Sequence, residues 1–256
     1  MSKLRLKRRW FQFSLRTIFI VMSLLALWLG MITHRARQQR QAVEAIEKLG
    51  GVVRYDYQRR GDDKPPGPAW LRRLIGRDYF ASVTQVELEG TQITDAGLEH
   101  LKGLTNLQVL NLYETQITDA GLVHLKGLTG LKWLSLERTQ ITGAGLAHLK
   151  ELTSLEVLFL DGTHVTDAVL VHLKGIANLL DLSLFGTEVS DAGLEHLQDL
   201  TGLQYMSVES TRITDAGLVH LKALASLEWL RLGGTQVTDA GVSELKKALP
   251  NCEIYR

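Results

Sequence analysis

Most of the chain is built from one 24-residue unit that repeats without a gap. The shared template is LxxLxLxxTxITDAGLxHLKxLxx, and a shift of 24 residues superposes the sequence on itself. A fixed period of roughly 20 to 50 residues is the signature of solenoids and related repeat architectures. The repeat therefore limits the fold more strongly than the composition does. Its copies fill residues 83–250 and begin at Val83, Leu107, Leu131, Leu155, Leu179, Leu203 and Leu227.

Each repeat combines a short strand with a short helix. Positions 4 and 6 are apolar while positions 3, 5 and 7 vary, and this alternation predicts a strand with one buried face. Thr and Asp at positions 12 and 13 are expected to cap a helix of about two turns, whose buried face carries positions 16, 19 and 22. Because one unit cannot bury its own apolar edge, the repeats must stack. We therefore predict an α/β solenoid with a parallel concave sheet and short convex helices.

These residues resemble the leucine-rich repeat family, whose strand motif is LxxLxLxx followed by a polar residue. The ITDAGL segment is similar to the branch found in substrate receptors of ubiquitin ligases and in many bacterial proteins. In that branch the strand often ends in Cys or Asn, whereas position 9 is Thr in every copy from Thr91 to Thr235. The hydroxyl is expected to bond the backbone of the neighbouring turn. No F-box-like adaptor precedes the array, so the resemblance does not imply the ligase role.

Two repeats depart from the template at the start of the helix. Gly143 replaces the Asp of the third repeat, and Val169 replaces the Gly of the fourth. We expect each change to weaken one helix start by about 0.5–1 kcal/mol. Residues 251–256 follow the last repeat and are predicted to form a capping edge strand.

The chain begins with a basic stretch, an apolar stretch and a second basic stretch. Residues 1–80 contain 17 Lys+Arg against 6 Asp+Glu, whereas residues 81–256 contain 12 against 22. Residues 17–33 carry no charge and would form a helix about 26 Å long, at the short end of a bilayer span. We interpret them as an uncleaved transmembrane anchor, with a cleaved signal peptide as the alternative. The basic arm, residues 1–16, predicts a cytoplasmic N-terminus with periplasmic or extracellular repeats.

Residues 34–82 are interpreted as a juxtamembrane helix and an N-terminal cap. We predict a helix over 37–49 that stops at Gly50, a strand over 52–57 and a short amphipathic helix over 69–75. An open stack needs a cover over its first hydrophobic layer. This segment is the candidate for that cover.

The varying strand positions are expected to face the concave side of the solenoid. With strands about 4.8 Å apart, Trp133, Phe159 and Phe185 should lie on a diagonal across three strands. Exposed aromatic side chains ringed by carboxylates are typical of a protein-binding surface. The alternative is that large side chains only pave the sheet. The candidate binding residues are Tyr113, Trp133, Glu137, Phe159, Asp161, Phe185, Tyr205 and Trp229.

Six histidines share position 18 and form a column along the array. Metal ligands must converge on one point, whereas this column supplies one imidazole per layer, so no metal site is predicted. We expect partly buried, neutral imidazoles that bond the adjacent repeat and lower the stability of the array when protonated below about pH 6.5. The single cysteine, Cys252, excludes an internal disulfide. The column comprises His100, His124, His148, His172, His196 and His220.

The sequence favours a binding protein over an enzyme. It contains no Gly-rich phosphate loop, GxSxG or HExxH motif, and no residue pattern calls for a cofactor. The negative charge of residues 81–256 disfavours nucleic-acid binding. We therefore interpret the chain as a membrane-anchored protein that binds another protein or an envelope component through its concave face. The alternatives are a structural spacer without a specific ligand and, third, a small enzyme in the cap that uses Asp56, Asp62 and Asp63.

Overall fold

The computed structural model describes residues 15–59, 61–62 and 64–256. Most of the basic arm, residues 1–14, lies outside the described residues, and so does Asp63 of the cap. The described residues form a single nine-stranded sheet whose strands follow one another in chain order. The strands are β1 (Val52–Tyr55), β2 (Val83–Glu87), β3 (Val109–Asn111), β4 (Trp133–Ser135), β5 (Val157–Phe159), β6 (Asp181–Ser183), β7 (Tyr205–Ser207), β8 (Trp229–Arg231) and β9 (Glu253–Tyr255).

Strands β2 to β9 are parallel, and equivalent positions of neighbouring repeats lie side by side. Leu110 is opposite Leu134, which in turn is opposite Leu158. All three side chains are fully buried, and the leucines of position 6 form a second buried row. The hydrophobic core is therefore continuous along the array, because each strand buries the apolar edge of the one before it. The predicted solenoid with a parallel concave sheet is confirmed.

The convex side consists of short helical segments, and most of them are tighter than predicted. Positions 16, 19 and 22 are three residues apart, as in Leu122, Leu125 and Leu128, which are all fully buried. A spacing of three matches the 3₁₀-helix, which has 3.0 residues per turn. The 3₁₀ segments are Gly97–Gly103, Gly121–Leu125, Ala144–Glu151 and Asp167–Gly175, and the later repeats contain α4 (Asp191–Glu195), α5 (Leu218–Leu221) and α6 (Asp239–Ala248).

The aspartate at position 13 bonds the next repeat and not its own helix, so the capping prediction was wrong for most repeats. Asp191 accepts from the backbone N–H of Thr214 at 2.8 Å and from its hydroxyl at 2.6 Å. Among the described threonines of position 12, Thr238 caps its own helix by accepting from the N–H of Gly241. Thr118 and Thr214 accept only from the N–H two residues further on, in Ala120 and Ala216, which lie before the helix begins. The inter-repeat bonds recur in the pairs Asp95–Thr118, Asp119–Thr142, Asp167–Ser190 and Asp215–Thr238.

The threonine at position 9 also bonds a different group from the one expected. Thr139 donates its hydroxyl to the carbonyl of Leu136 at 2.6 Å, which lies at the end of its own strand and not in a neighbouring turn. The same bond closes the strand in every repeat, so the threonines do form a column. The other pairs are Thr91–Leu88, Thr115–Leu112, Thr163–Leu160, Thr187–Leu184, Thr211–Val208 and Thr235–Leu232.

One continuous helix, α1 (Leu15–Lys48), contains both the apolar run and the predicted juxtamembrane helix. Its apolar part is exposed and has a mean hydropathy of 1.9, which is enough for a membrane span or a signal sequence. Its C-terminal part packs on the first repeat through Ala42, Val43 and Ile46, which are buried. The helix ends just before Gly50, whose φ of +84° lies in the left-handed region that favours glycine.

Strand β1 and two short helices complete the segment before the repeats. β1 pairs antiparallel with β2 and ends at Tyr55, where the register shifts. The chain then turns into α2 (Asp56–Arg59), so the predicted strand over 52–57 is too long. The short helix α3 (Ala69–Ile75) has the predicted bounds, but none of its residues is buried. The first hydrophobic layer is therefore covered by α1 and β1, while α3 lies outside.

Candidate protein-binding surface on the concave sheet

An open depression of about 560 Å³ lies on the concave side over strands β5 to β8. Five of the eight predicted binding residues line it. The other three, Tyr113, Trp133 and Glu137, lie towards the N-terminal end of the sheet. The lining includes Phe159, Asp161, Asp181, Phe185, Tyr205, Glu209, Trp229 and Arg231.

The aromatic side chains on this face form two separate contact groups. Trp133 and Phe159 meet edge to face with 5.6 Å between their ring centroids. Phe185 is 44% exposed and makes no ring contact with another described residue. The strand register places Trp133, Phe159 and Phe185 on the predicted diagonal, because each lies two residues beyond the partner of the one before it. Contact between the rings ends at Phe159.

A second aromatic group lies at the C-terminal end of the depression. Tyr205 and Trp229 are stacked at 6.5 Å, and Trp229 and Tyr255 at 5.7 Å. All three side chains are exposed. Sequence reasoning missed Tyr255, because it lies beyond the last repeat. Counting one more period of 24 from Arg231 would have found it, since the two residues are paired across β8 and β9.

Three carboxyl groups on this face are harder to ionise than usual. Burial raises the pKa of Asp181 to about 6, and the negative charge of Asp161 adds to the effect. Burial also raises the pKa of Asp161 and of Glu137. No described residue donates a hydrogen bond to Asp181 or forms an ion pair with it. The depression thus combines apolar rings with a carboxylate that has no counterion.

The single cation in the lining does not neutralise Asp181. Arg231 lies 3.9 Å from Glu209 and is mostly exposed. At the other end of the sheet, the guanidinium of Arg138 covers the ring of Tyr113 at 5.7 Å, and Glu137 accepts a bond from Ser135 at 2.8 Å. Tyr113 and Glu137 are therefore already engaged within the protein. The carboxylate without a counterion and the exposed stacked rings lie around Asp181, Tyr205 and Trp229.

The family model for leucine-rich repeats matches residues 81–141. The repeat array of this chain has the leucine-rich repeat fold. Among solved structures it is similar to an internalin (inlF) of Listeria monocytogenes, with 28% identity and a TM-score of 0.56 over 67% of this chain and 46% of the other. It is also similar to internalin C2 of Listeria monocytogenes, with 29% identity and a TM-score of 0.57 over 67% and 70%.

A leucine-rich repeat protein of Leptospira interrogans shares the fold, with 21% identity and a TM-score of 0.51 over 74% of this chain and 51% of that one. The chain spans about half the length of that protein and of the internalin inlF. No curated protein sequence matches the chain. These bacterial neighbours establish the architecture, which suggests a protein-interaction or scaffold role.

The histidine column of the leucine-rich repeat array lacks the hydrogen bonds predicted for it. His100 is exposed and the other five are half-buried. No described residue forms a hydrogen bond with the imidazole of any of the six, and Nδ1 of His124 is buried without a partner. The described residues contain no group of three His, Cys, Asp or Glu side chains that could hold a metal ion. Loss of stability below about pH 6.5 stays a prediction.

Proposed function

We propose that this leucine-rich repeat protein is membrane-anchored and binds a basic segment of another protein in the concave depression. The observation that carries the proposal is the position of Asp181, a partly buried carboxylate without a counterion, beside the exposed rings of Tyr205 and Trp229. A Lys or Arg side chain from a partner would supply the missing charge. Its aliphatic stem and cationic head would also pack favourably on the aromatic faces.

The composition of the surface supports binding of a protein segment. Tyr and Trp are enriched among the residues that contribute most to the binding energy of protein interfaces. They contribute most where the surrounding contacts exclude water. Here the stacked rings hold each other in position, so little side-chain entropy is lost on binding. Acidic side chains outnumber basic ones in the lining, which favours a basic partner over an acidic one.

The proposed anchor is the apolar part of α1, residues 17–33, with a cytoplasmic N-terminus and the repeats on the opposite side of the membrane. The exposure of these apolar side chains supports a lipid environment, because exposing so much apolar surface to water is unfavourable. Because α1 continues without a break into the part that packs on the first repeat, it would hold the concave face at a fixed angle to the membrane.

The same rigid connection favours a spacer as the second candidate function. A continuous helix buried against the first repeat suits a protein that sets a distance from the membrane, whether or not its faces bind a ligand. The two functions differ in one respect that can be measured. Only a binding protein needs contacts that are specific to the depression.

Site-specific photo-cross-linking in native membranes tests the proposal. A photoreactive amino acid replaces Ser207, which lines the depression, or Val219, which is exposed on the convex side. We expect a discrete protein product from position 207 that is absent from position 219. The product should be lost in the double variant Asp181→Asn and Trp229→Ala, whose folding is checked by thermal denaturation.

A spacer would give a different result. Both positions would then yield the same weak set of abundant membrane proteins, and the double variant would leave the set unchanged. That outcome would reject specific binding at the concave face. A product from position 207 that survives the double variant would place the binding determinants elsewhere on the sheet and would also contradict the proposal.

A further inference from the structure

The short helix α3 presents an apolar face that no described residue covers. Trp70 is 67% exposed and Leu74 is 73% exposed, more than any other described large apolar side chain outside α1. They are four residues apart and therefore lie on one face of the helix. Arg73 lies beside them, is exposed and has no described partner. An exposed apolar face of this kind is typical of a surface that contacts another protein or a membrane.

The segment that carries α3 lies beside the end of the apolar run in α1. Phe80 lines a cavity of about 200 Å³ together with Ile32, Arg35 and Ala36 of α1. Gly67, which precedes α3, lies against the Phe80 ring, since a Cβ at Gly67 would be 2.7 Å from Cδ1. The step from Ile32 to Ala36 corresponds to about 6 Å along the helix axis. The segment on either side of α3 therefore lies beside α1 close to Thr33, where the charge-free run ends.

Its connections within the segment hold α3 in this place. The guanidinium of Arg72 donates to the carbonyl of Pro65 at 2.7 Å. At its other end, the N–H of Gly76 donates to the carbonyl of Arg72 at 2.9 Å, and the 3₁₀ turn Arg77–Tyr79 follows directly. Within that turn, Asp78 accepts a bond from Gln39 of α1 at 2.9 Å. The bond between Gln39 and Asp78 therefore links the turn that follows α3 to α1, while the other two bonds fix α3 within its own segment.

We propose that α3 lies in the membrane interface, with Trp70 and Leu74 among the upper acyl chains and Arg73 at the phosphate level. The proposal rests on the anchoring of α1 proposed above. Trp is enriched at membrane interfaces, and Arg extends its charge to the head groups from a buried stem. The headgroup region on each side of the hydrocarbon core is about 5–8 Å thick. This thickness is comparable to the step of about 6 Å from Ile32 to Ala36 along the axis of α1.

Charge complementarity favours anionic lipid as the occupant. Besides Arg73, the side chains of Lys64, Arg35 and Arg37 are exposed in this region of the protein. An anionic membrane surface attracts cationic side chains that lie close to it. With α1 as one attachment and α3 as a second, the solenoid could not rotate freely about the anchor. The direction in which the concave face points would then be fixed.

Fluorescence of a label at position 74 tests the proposal in the full chain. Leu74→Cys in a Cys252→Ala background is labelled with an environment-sensitive dye and reconstituted into vesicles of phosphatidylcholine and phosphatidylglycerol. We expect a blue shift of the dye emission and quenching by lipids with a nitroxide near the glycerol backbone. A label at Val219→Cys, which is also exposed but lies on the convex side of the array, should show neither effect.

Resistance to alkaline carbonate separates failure of this proposal from failure of the anchor. A chain that resists extraction while the label at 74 stays aqueous would overturn the interfacial position of α3 and leave the anchor intact. Extraction of the chain by carbonate would contradict both the membrane anchor and the interfacial position of α3. Efficient disulfide formation between two Leu74→Cys chains would also overturn the proposal, since the face would then bind a second copy. If Cys252→Ala prevents folding, the label is attached in the native background, where Cys252 is buried and protected.

Discussion

Gly143 of the third repeat lies directly against Val169 of the fourth, and both residues depart from the template. The absence of a side chain at Gly143 leaves room for the side chain of Val169. A Cβ added at Gly143 would lie 3.0 Å from Cβ of Val169 and closer still to one of its methyl groups. In a typical pair of repeats the arrangement is reversed, since a Cβ on Gly193 would lie 2.5 Å from Oδ1 of Asp167. The two departures therefore share one contact, and we expect their effects on stability to depend on each other. The weakening of each helix start stays a prediction.

The Gly143–Val169 contact predicts strongly non-additive mutational effects. Gly143→Asp alone should destabilise the array by about 1–3 kcal/mol, because the new side chain overlaps Val169 and the φ of +101° disfavours any Cβ. Val169→Gly alone should destabilise by a similar amount through lost packing. Adding Val169→Gly to Gly143→Asp should relieve the overlap, with a coupling energy of about 1 kcal/mol or more. Urea unfolding of the four proteins measures it, and additive effects would contradict the contact.

The inter-repeat aspartates predict a loss of stability that a surface aspartate does not share. Asp191→Ala removes two hydrogen bonds to Thr214 and leaves its N–H without a partner, which should destabilise the array by about 1–3 kcal/mol. The matched control is Asp199→Ala, which removes only an exposed ion pair with Lys174 and should change stability by less than about 0.5 kcal/mol. Urea unfolding compares the two, and equal effects would show that the ladder does not stabilise the stack.

The raised pKa of Asp181 predicts that its replacement stabilises the protein at neutral pH. Because the folded-state pKa of about 6 lies above the ordinary value of 3.8, ionisation of Asp181 opposes folding. This cost is fully present above about pH 6 and disappears as the pH falls through 6 towards 3.8. Asp181→Asn should therefore have a higher Tm than the wild type at pH 7.5, with a difference that shrinks towards pH 4.

The control for this prediction is Asp199→Asn, a change at an exposed carboxylate on the convex side. Its Tm difference from the wild type should not follow the same pH dependence. Thermal unfolding of the three proteins between pH 4 and 8 provides the measurement. A constant difference between Asp181→Asn and the wild type across this range would mean that Asp181 is well solvated.

Gln39 predicts a specific weakness at the junction between α1 and the repeats. Its amide donates to the carbonyl of Ala81 at 2.9 Å and accepts from the N–H of Val83 at 3.0 Å. Gln39→Leu leaves both buried groups unsatisfied and should cost about 2–4 kcal/mol. Amide hydrogen exchange at Val83 should accelerate, whereas Gln41→Leu, at an exposed position of the same helix, should leave it unchanged. Unchanged exchange in Gln39→Leu would show that apolar packing alone holds α1 in place.

The repeated features of the fold were predictable because each one recurs at a fixed separation. A leucine that is buried in one repeat is buried in all of them, and the strand positions that face the concave side follow from the alternation of two. The candidate surface was predicted only in part. Five of its lining residues came from the pattern, but the raised pKa of Asp181 depends on how neighbouring strands surround it, and the pattern carries no information about that.

The sequence by itself determined the solenoid, its register and its buried rows, because an exact period leaves only one way to stack identical apolar edges. The tertiary structure decided which group each polar side chain bonds, since Asp191 and Thr214 are 23 residues apart in the chain but adjacent in space. It also decided that α1, and not α3, covers the first repeat. Non-repeating segments are not constrained by the period, so their contacts follow only from the shape of the surface on which they pack.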